Sequence, residues 1–300
     1  MTSGLLIVDK PEGLTSHDVV ARLRRLLAMR RIGHGGTLDP LATGVLPIFI
    51  GKATRASEYI LHAEKEYIAR FRLGIATDTQ DITGQVLRTA PPPKSVDFEA
   101  LLPAFRGEIK QIPPMYSAIK IGGKTLHKEA RAGRTIERPA RTVHIRELEL
   151  LESFPGDEYG IRVVCSAGTY IRTLVDDMGA ALGCGATLTA LRRTRTGRFH
   201  AADAHTPDDI AAHVERGDIA SLLIPVDSLF SEHPPLTLPP DAERLFRNGV
   251  PLTLPKLESE FYRVYSVDGT FLSFAKVYQE KKPTLRAVRN FFDADVRPVL

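Results

Sequence analysis

GHGGTLDPLATGVLP, residues Gly33 to Pro47, sets four glycines and two prolines around one carboxylate, Asp39. The glycines let the backbone take positive φ and approach a ligand closely. Pro40 disfavours the helical basin for Asp39, so the carboxylate is held in an extended or turn geometry. Leu38, Leu41 and Val45 partly dry its surroundings. A carboxylate so placed can serve as nucleophile or general base. Asp-Pro is equally a common turn opener, and His34 reads as a core or capping histidine as readily as a site residue. The composition predicts an irregular loop from Gly33 to Gly51, ending in a short strand around Val45 to Ile50.

Upstream, Leu5-Leu6-Ile7-Val8 is a short apolar run stopped by Asp9-Lys10-Pro11 and Gly13, which predicts a buried strand. Thr15 or Ser16 can cap the next element, with Asp18 favourably placed in its first turn. Val19, Val20, Leu23, Leu26 and Leu27 recur at helical spacing, giving an amphipathic helix with arginines outward. Downstream, Glu66 to Leu73 alternates as a half-buried strand does. Asp78 to Gly84 is turn-rich, Pro91-Pro92-Pro93 is an exposed extended connection, and Phe98 to Phe105 suits a helix. Gly122 to Pro139 is polar, basic and poor in large apolar residues, which predicts a flexible excursion off the core. Arg141 to Glu152 and Tyr159 to Ser166 read as strands, and a helix follows from Thr173. Prolines gather between Pro225 and Pro240, marking a domain boundary. Phe261 to Ser266, Phe271 to Val277 and Leu285 to Phe292 then suggest a small β domain. The expected division is 1–230 and 231–300.

A length of 300 residues suits one large domain and one small one, and 43% hydrophobic residues can fill a sizeable core. No apolar run reaches the roughly 18 residues of a membrane span. The opening MTSGLLIVDKPEGLTS lacks the features of a secretory leader, so a cytoplasmic location is expected. Cys165 and Cys184 are too few for a disulfide framework or a cysteine-only zinc site and read as buried free thiols. P-loop, dinucleotide and HExxH motifs are absent. The net charge of +4 is mild, but its distribution is not. Cations gather at Arg22–Arg31, at Lys120–Arg141, at Arg192–Arg198 and at Lys276–Arg289. Separate islands suit a long polyanion, whose phosphates release counterions when neutralised. Any single island is as well explained by solvated surface.

Two further segments carry chemistry. In Cys165-Ser166-Ala167-Gly168-Thr169-Tyr170-Ile171-Arg172 a strand runs towards a helix, and Tyr170 and Arg172 lie two apart, on one side of an extended chain. An arginine beside a buried carboxylate keeps it ionised. Arg172 could instead pair with Asp176 on the surface, and Tyr170 could be a core aromatic. In Glu64-Lys65-Glu66-Tyr67-Ile68-Ala69, Tyr67 offers a stacking surface for a base or a half-buried strand tyrosine.

GGTLDPLATGVLP, EKEYIA, QIPPMYSAIK, GTYIRTLVDDMG and LRRTRTG, in this order across residues 4 to 230, resemble the TruB family of tRNA pseudouridine-55 synthases. The resemblance implies an α+β fold. A mixed, largely antiparallel sheet is flanked by helices and followed by a small C-terminal PUA-like RNA-binding β barrel. It implies isomerisation of a uridine in the TΨC loop: the base is flipped out, the glycosidic bond is broken, and C5 is re-attached to C1′. Asp39 would be the catalytic aspartate, Arg172 its partner, and Tyr67 would pack on the uracil and help remove the C5 proton. Tyr170 and Leu191 would line the nucleotide site, and His34 would fill the space left by the flipped nucleotide. Lys124, Lys128, Arg131 and Arg192 would meet the RNA backbone. No metal, cofactor, guide RNA or protein partner is implied, and a monomer acting on the tRNA T arm is expected. Gly35, Gly36 and Thr37 replace other small residues common at this point in the family, which bears on loop stiffness and not on chemistry. Competing readings are a non-catalytic tRNA-binding or folding protein, a glycosidic hydrolase that releases free uracil, and a guide-dependent synthase.

Overall fold

The computed structural model describes residues 3–117, 119–279 and 281–292. The first apolar run forms strand β1 (Gly4–Lys10). Thr15 is the cap of helix α1 (Ser16–Leu26). Its hydroxyl accepts from Asp18 N, and the Asp18 carboxylate accepts from Thr15 N, a reciprocal cap worth about 1 kcal/mol. Ser16 lies inside the helix. Strands β2 (Ile32–His34) and β3 (Ala42–Ile50) enclose the Asp39 loop. β3 starts at Ala42, earlier than expected, because Ala42, Thr43 and Gly44 pair in parallel with Leu191, Arg192 and Arg193 far along the chain.

Next come α2 (Glu58–Leu61), β4 (Lys65–Leu73), the hairpin β5 (Ile75–Thr77) and β6 (Val86–Thr89), α3 (Phe98–Leu101) and β7 (Gly107–Gln111). α3 covers half of the expected helix; the chain then tightens into a 3-10 turn that includes Pro103. The expected flexible excursion is in part regular. Strands β8 (Lys120–Ile121) and β9 (Lys124–Thr125) turn at two glycines and lead into α4 (Leu126–Arg131). Leu126 is fully buried within this otherwise polar arm.

Strands β10 (Arg141–Phe154) and β11 (Glu158–Cys165) precede α5 (Ile171–Ala181), β12 (Ala186–Thr196), β13 (Phe199–His200) and α6 (Pro207–Glu215). Nine described strands form one sheet, ordered β1-β3-β12-β4-β11-β10-β7, with β2 on β3 and β13 on β12. Every pairing in it is antiparallel except that of β3 with β12. This is the expected mixed, largely antiparallel sheet. α5 lies tightly against the start of β12, since a Cβ on Gly179 would stand 2.1 Å from Ala186 N.

A separate sheet holds β14 (Pro235–Thr237), β15 (Phe261–Tyr265), β16 (Phe271–Gln279) and β17 (Pro283–Asn290), with α7 (Pro240–Arg247) after its first strand. Its strand order is sequential, and Leu252 bridges Leu285 beside β17. An aromatic cluster joins the two sheets. Phe230 stacks on Phe274 at 4.4 Å between ring centroids, and Tyr59 packs edge-on against both. Arg55 Nη1 adds bonds to the carbonyls of Asn290 and Phe292. Among the described residues no helix is long and apolar enough to cross a membrane.

Candidate active site

Asp39 stands on the loop between β2 and β3, which is tied down at several points. Ser16 Oγ donates to Leu38 O and accepts from Leu38 N, and Gly13 N donates to Pro40 O. Lys10, wholly buried, donates from Nζ to the carbonyls of Pro11, Leu14 and, at 3.4 Å, Pro40. Burial lowers its pKa to about 8, with Asp39 and Glu12 pulling it back upward. The loop ends flush against β12. Gly44 has φ +98°, and a Cβ there would lie 2.2 Å from Arg193 O.

Arg172 meets Asp39, with Nη2 standing 2.9 Å from Oδ2. The arginine side chain is 5% exposed and the aspartate 39%, so the carboxylate can be reached from outside and the guanidinium cannot. Arg172 also donates to Thr79 O and Tyr116 O, and its Nη1 lies 3.7 Å from Asp81 Oδ2. The route differs from the expected one. Tyr170 is extended, but Ile171 already begins α5, so Arg172 reaches Asp39 from a helical turn. Asp176 is not its partner; that carboxylate accepts from Gln80 Nε2. Asp81 is itself fixed by Thr79 and Thr83, in a segment whose sequence shows only a turn.

The pairing of β4 with β12 builds the floor of the site. Tyr67 faces Arg193 and Ala69 faces Leu191, so the two-residue period puts Lys65, Tyr67, Leu191 and Arg193 on one side. They line a cleft of about 660 Å³ together with Asp39, Tyr170 and Arg172. Burial raises the phenol pKa of both Tyr67 and Tyr170. Tyr170 N is held by Gln111 Oε1. A second cleft of about 520 Å³ opens on the other side of Asp39 and Arg172, lined by Asp78, Tyr116, His127 and Arg131. The base of the arm therefore borders the same ion pair.

His34 does not line the main cleft. It sits on β2 at the entry to the loop, with its buried Nδ1 unpartnered. Burial, then Arg193, hold its pKa below the ordinary value, so the imidazole is neutral at physiological pH. Lys124 and Lys128 are exposed on the arm and line neither cleft. Arg192 makes a two-pronged pair with Asp9 at 2.7 and 3.0 Å. Among the described residues no group of three His, Cys, Asp or Glu could hold a metal. Lys10, Lys65 and Asp81 touch this architecture without having stood out in the sequence, and Arg193 stood out only as one member of a cationic island.

The profile described as TruB family pseudouridylate synthase, N-terminal domain, matches residues 24–171. That of the tRNA pseudouridylate synthase B C-terminal domain matches residues 172–231. The tRNA pseudouridine synthase B of Moorella thermoacetica is 46% identical, over 92% of this chain and 94% of its own. That of Pseudomonas fluorescens strain Pf-5 is 44% identical, over 93% and 92%. Among solved structures, a chain of a Cbf5-Nop10-Gar1 complex superposes with a TM-score of 0.70 at 27% identity, over 99% of this chain and 87% of that one. These matches span the ion pair, the cleft floor and the arm alike, and the chain belongs to the TruB family of pseudouridylate synthases.

Proposed function

We propose that the chain converts a uridine of tRNA to pseudouridine, at position 55 of the TΨC loop. The observation that carries the reading is Asp39, reachable from the cleft and gripped by the buried Arg172, above a floor of Tyr67 and Leu191. The relatives' name, tRNA pseudouridine synthase B, supports the substrate. So does the solved H/ACA RNP bound to a substrate RNA containing 2'-deoxyuridine, which is 26% identical at a TM-score of 0.70.

A uridine inside a folded loop must first leave the stack, at a cost of a few kcal/mol. Tyr67 packs on the extruded base, and Tyr170 and Leu191 line its pocket. His34 fills the space left behind; its neutral imidazole suits stacking among bases. Asp39 acts at the glycosidic bond. The C1′–N1 bond breaks, the base turns, C5 bonds to C1′ and the C5 proton leaves. Residues 1–230 form the catalytic unit and 231–300 an RNA-binding unit. Lys124, Lys128, Arg131 and Arg192 contact phosphates, and the chain acts as a monomer without guide RNA or partner.

The test is tritium release from tRNA labelled at uridine C5, using the purified chain and tRNA alone. Release with the base still attached to RNA is expected, and Asp39→Asn should slow turnover by about a thousandfold or more. Free uracil would mark a hydrolase, and tRNA binding without release would mark a folding factor. Normal turnover by Asp39→Asn would overturn the assignment.

A further inference from the structure

Arg193 and Lys65 are buried cations in the cleft floor that the reading above leaves unused. Arg193 is 1% exposed and Lys65 7%. Among the described residues neither has a carboxylate partner within 4.0 Å, in contrast to Arg172. Arg193 Nε donates to Val45 O at 2.7 Å, but Nη1 and Nη2 lie 3.4 Å from Thr37 O and Gly36 O, long for a charged donor. Lys65 Nζ donates to the carbonyls of Leu61 and Ala63. The two charges are neighbours. A Cβ on Gly36 would lie 3.7 Å from Arg193 Nη1 and 4.0 Å from Lys65 Cε.

Adjacent buried like charges without a counter-ion are unfavourable, and main-chain carbonyls offset that only partly. Burial, then Arg193, lower the Lys65 pKa to about 8, which leaves it largely an ammonium at neutral pH. Preorganised charge of this kind is suited to an anion that exists only during reaction. The proposed isomerisation generates one. When C1′–N1 breaks heterolytically, the bonding pair leaves with N1, and the base becomes a uracilate with its charge spread over N1, O2 and O4. The charge is consumed when C5 bonds to C1′; the C5 proton is then lost and N1 gains one, so the product is an isomer. While Asp39 remains a carboxylate, the Asp39–Arg172 pair is internally neutralised and supplies no spare positive charge.

We propose that Arg193 and Lys65 form an anion seat that holds the detached uracil base as its anion while it turns over Tyr67. The proposal rests on the isomerase reading and deepens it.

The probe is 5-nitrouracil, which is anionic at neutral pH, compared with neutral uracil by calorimetry on the full chain. Binding of the anion about tenfold tighter than uracil is expected, with loss of that preference in Lys65→Met and its return in Lys65→Arg. In tritium release, Lys65→Met should lower kcat about a hundredfold while KM for tRNA stays within about threefold. Arg193→Met should act in the same direction; if it does not fold, the two Lys65 variants decide. Equal binding of the two bases, or an unchanged kcat in Lys65→Met, would overturn the seat. An inactive wild type that still prefers the anion would overturn the isomerase reading instead, and an active wild type without the preference would overturn the seat alone.

Discussion

Arg172 gathers three segments on one guanidinium: Asp39 from the β2–β3 loop, Thr79 and Asp81 from the β5–β6 turn, and Tyr116 from the base of the arm. A lysine keeps the charge but not the planar fork that serves these partners together. Arg172→Lys is therefore expected to lower kcat about a hundredfold with tRNA affinity within about threefold, measured by single-turnover tritium release and filter binding. Near-normal turnover would show that charge alone suffices. At this scale the sequence speaks unevenly. Asp39 is legible because Pro40 and the glycines fix its backbone before any tertiary contact forms. Lys10 is not, because a lysine at the end of an apolar run looks like a stop signal. Only the fold reveals the three carbonyls that hold it. Asp81 is hidden for the same reason, since its turn needs a carboxylate whether or not an arginine waits behind it.

Among the elements, β4 and β12 show what periodicity carries and what it loses. β4 alternates strictly and reads as a strand at once. β12 escapes the same test because bulges between Leu188 and Ala190, and between Arg193 and Arg195, break its two-residue rhythm. The start of α5 is displaced from the expected Thr173 to Ile171, which turns Arg172 from a strand residue into a helical one. α5 supports two predictions. Gly179→Ala would press a methyl to within 2.1 Å of Ala186 N and 2.3 Å of Gly185 C. It should cost about 2–3 kcal/mol in urea unfolding, whereas an unchanged midpoint would mean that the helix stands off freely. The second concerns Asp177. Burial, then Asp176, raise its carboxyl pKa to about 6. The folded chain keeps that proton to about pH 6, while the unfolded chain releases it near pH 4. Its contribution is thus present below pH 4 and lost as pH rises through 6. Asp177→Asn should leave stability unchanged near pH 4 and raise it by about 1 kcal/mol above pH 6, the value being reduced for partial solvent screening. Melting curves at the two pH values check the sign.

Across the whole molecule, the sequence showed a mixed sheet followed by a small β unit, with strands β1, β3, β4, β10, β11, β15, β16 and β17, while β2, β7, β12, β13 and β14 left no readable pattern. The way β3 and β12 come together was not legible either, because a parallel pairing between residues so distant leaves no local mark. The arm illustrates the same limit: its charge was plain, while the burial of Leu126 within it was not. Lys124, Lys128 and Arg131 are all exposed on it. Replacing the three together with glutamine should weaken tRNA binding and reduce the slope of log affinity against log salt by about 2, measured by titration at several salt concentrations. An unchanged slope would remove the arm from the phosphate contacts. One further consequence follows from the place of β12. β3 and β4 are successive partners of this large sheet in the chain, yet β12 lies between them. A ribosome delivers β1, β3 and β4 well before residue 186 emerges. Until then the nascent sheet has a gap at its centre, with two unpaired edges facing it. Asp39 and Tyr67 are brought to a common site only when that gap is filled. Translation halted before Ala186 therefore yields a fragment with neither the completed sheet nor the site, and competence arrives late in synthesis.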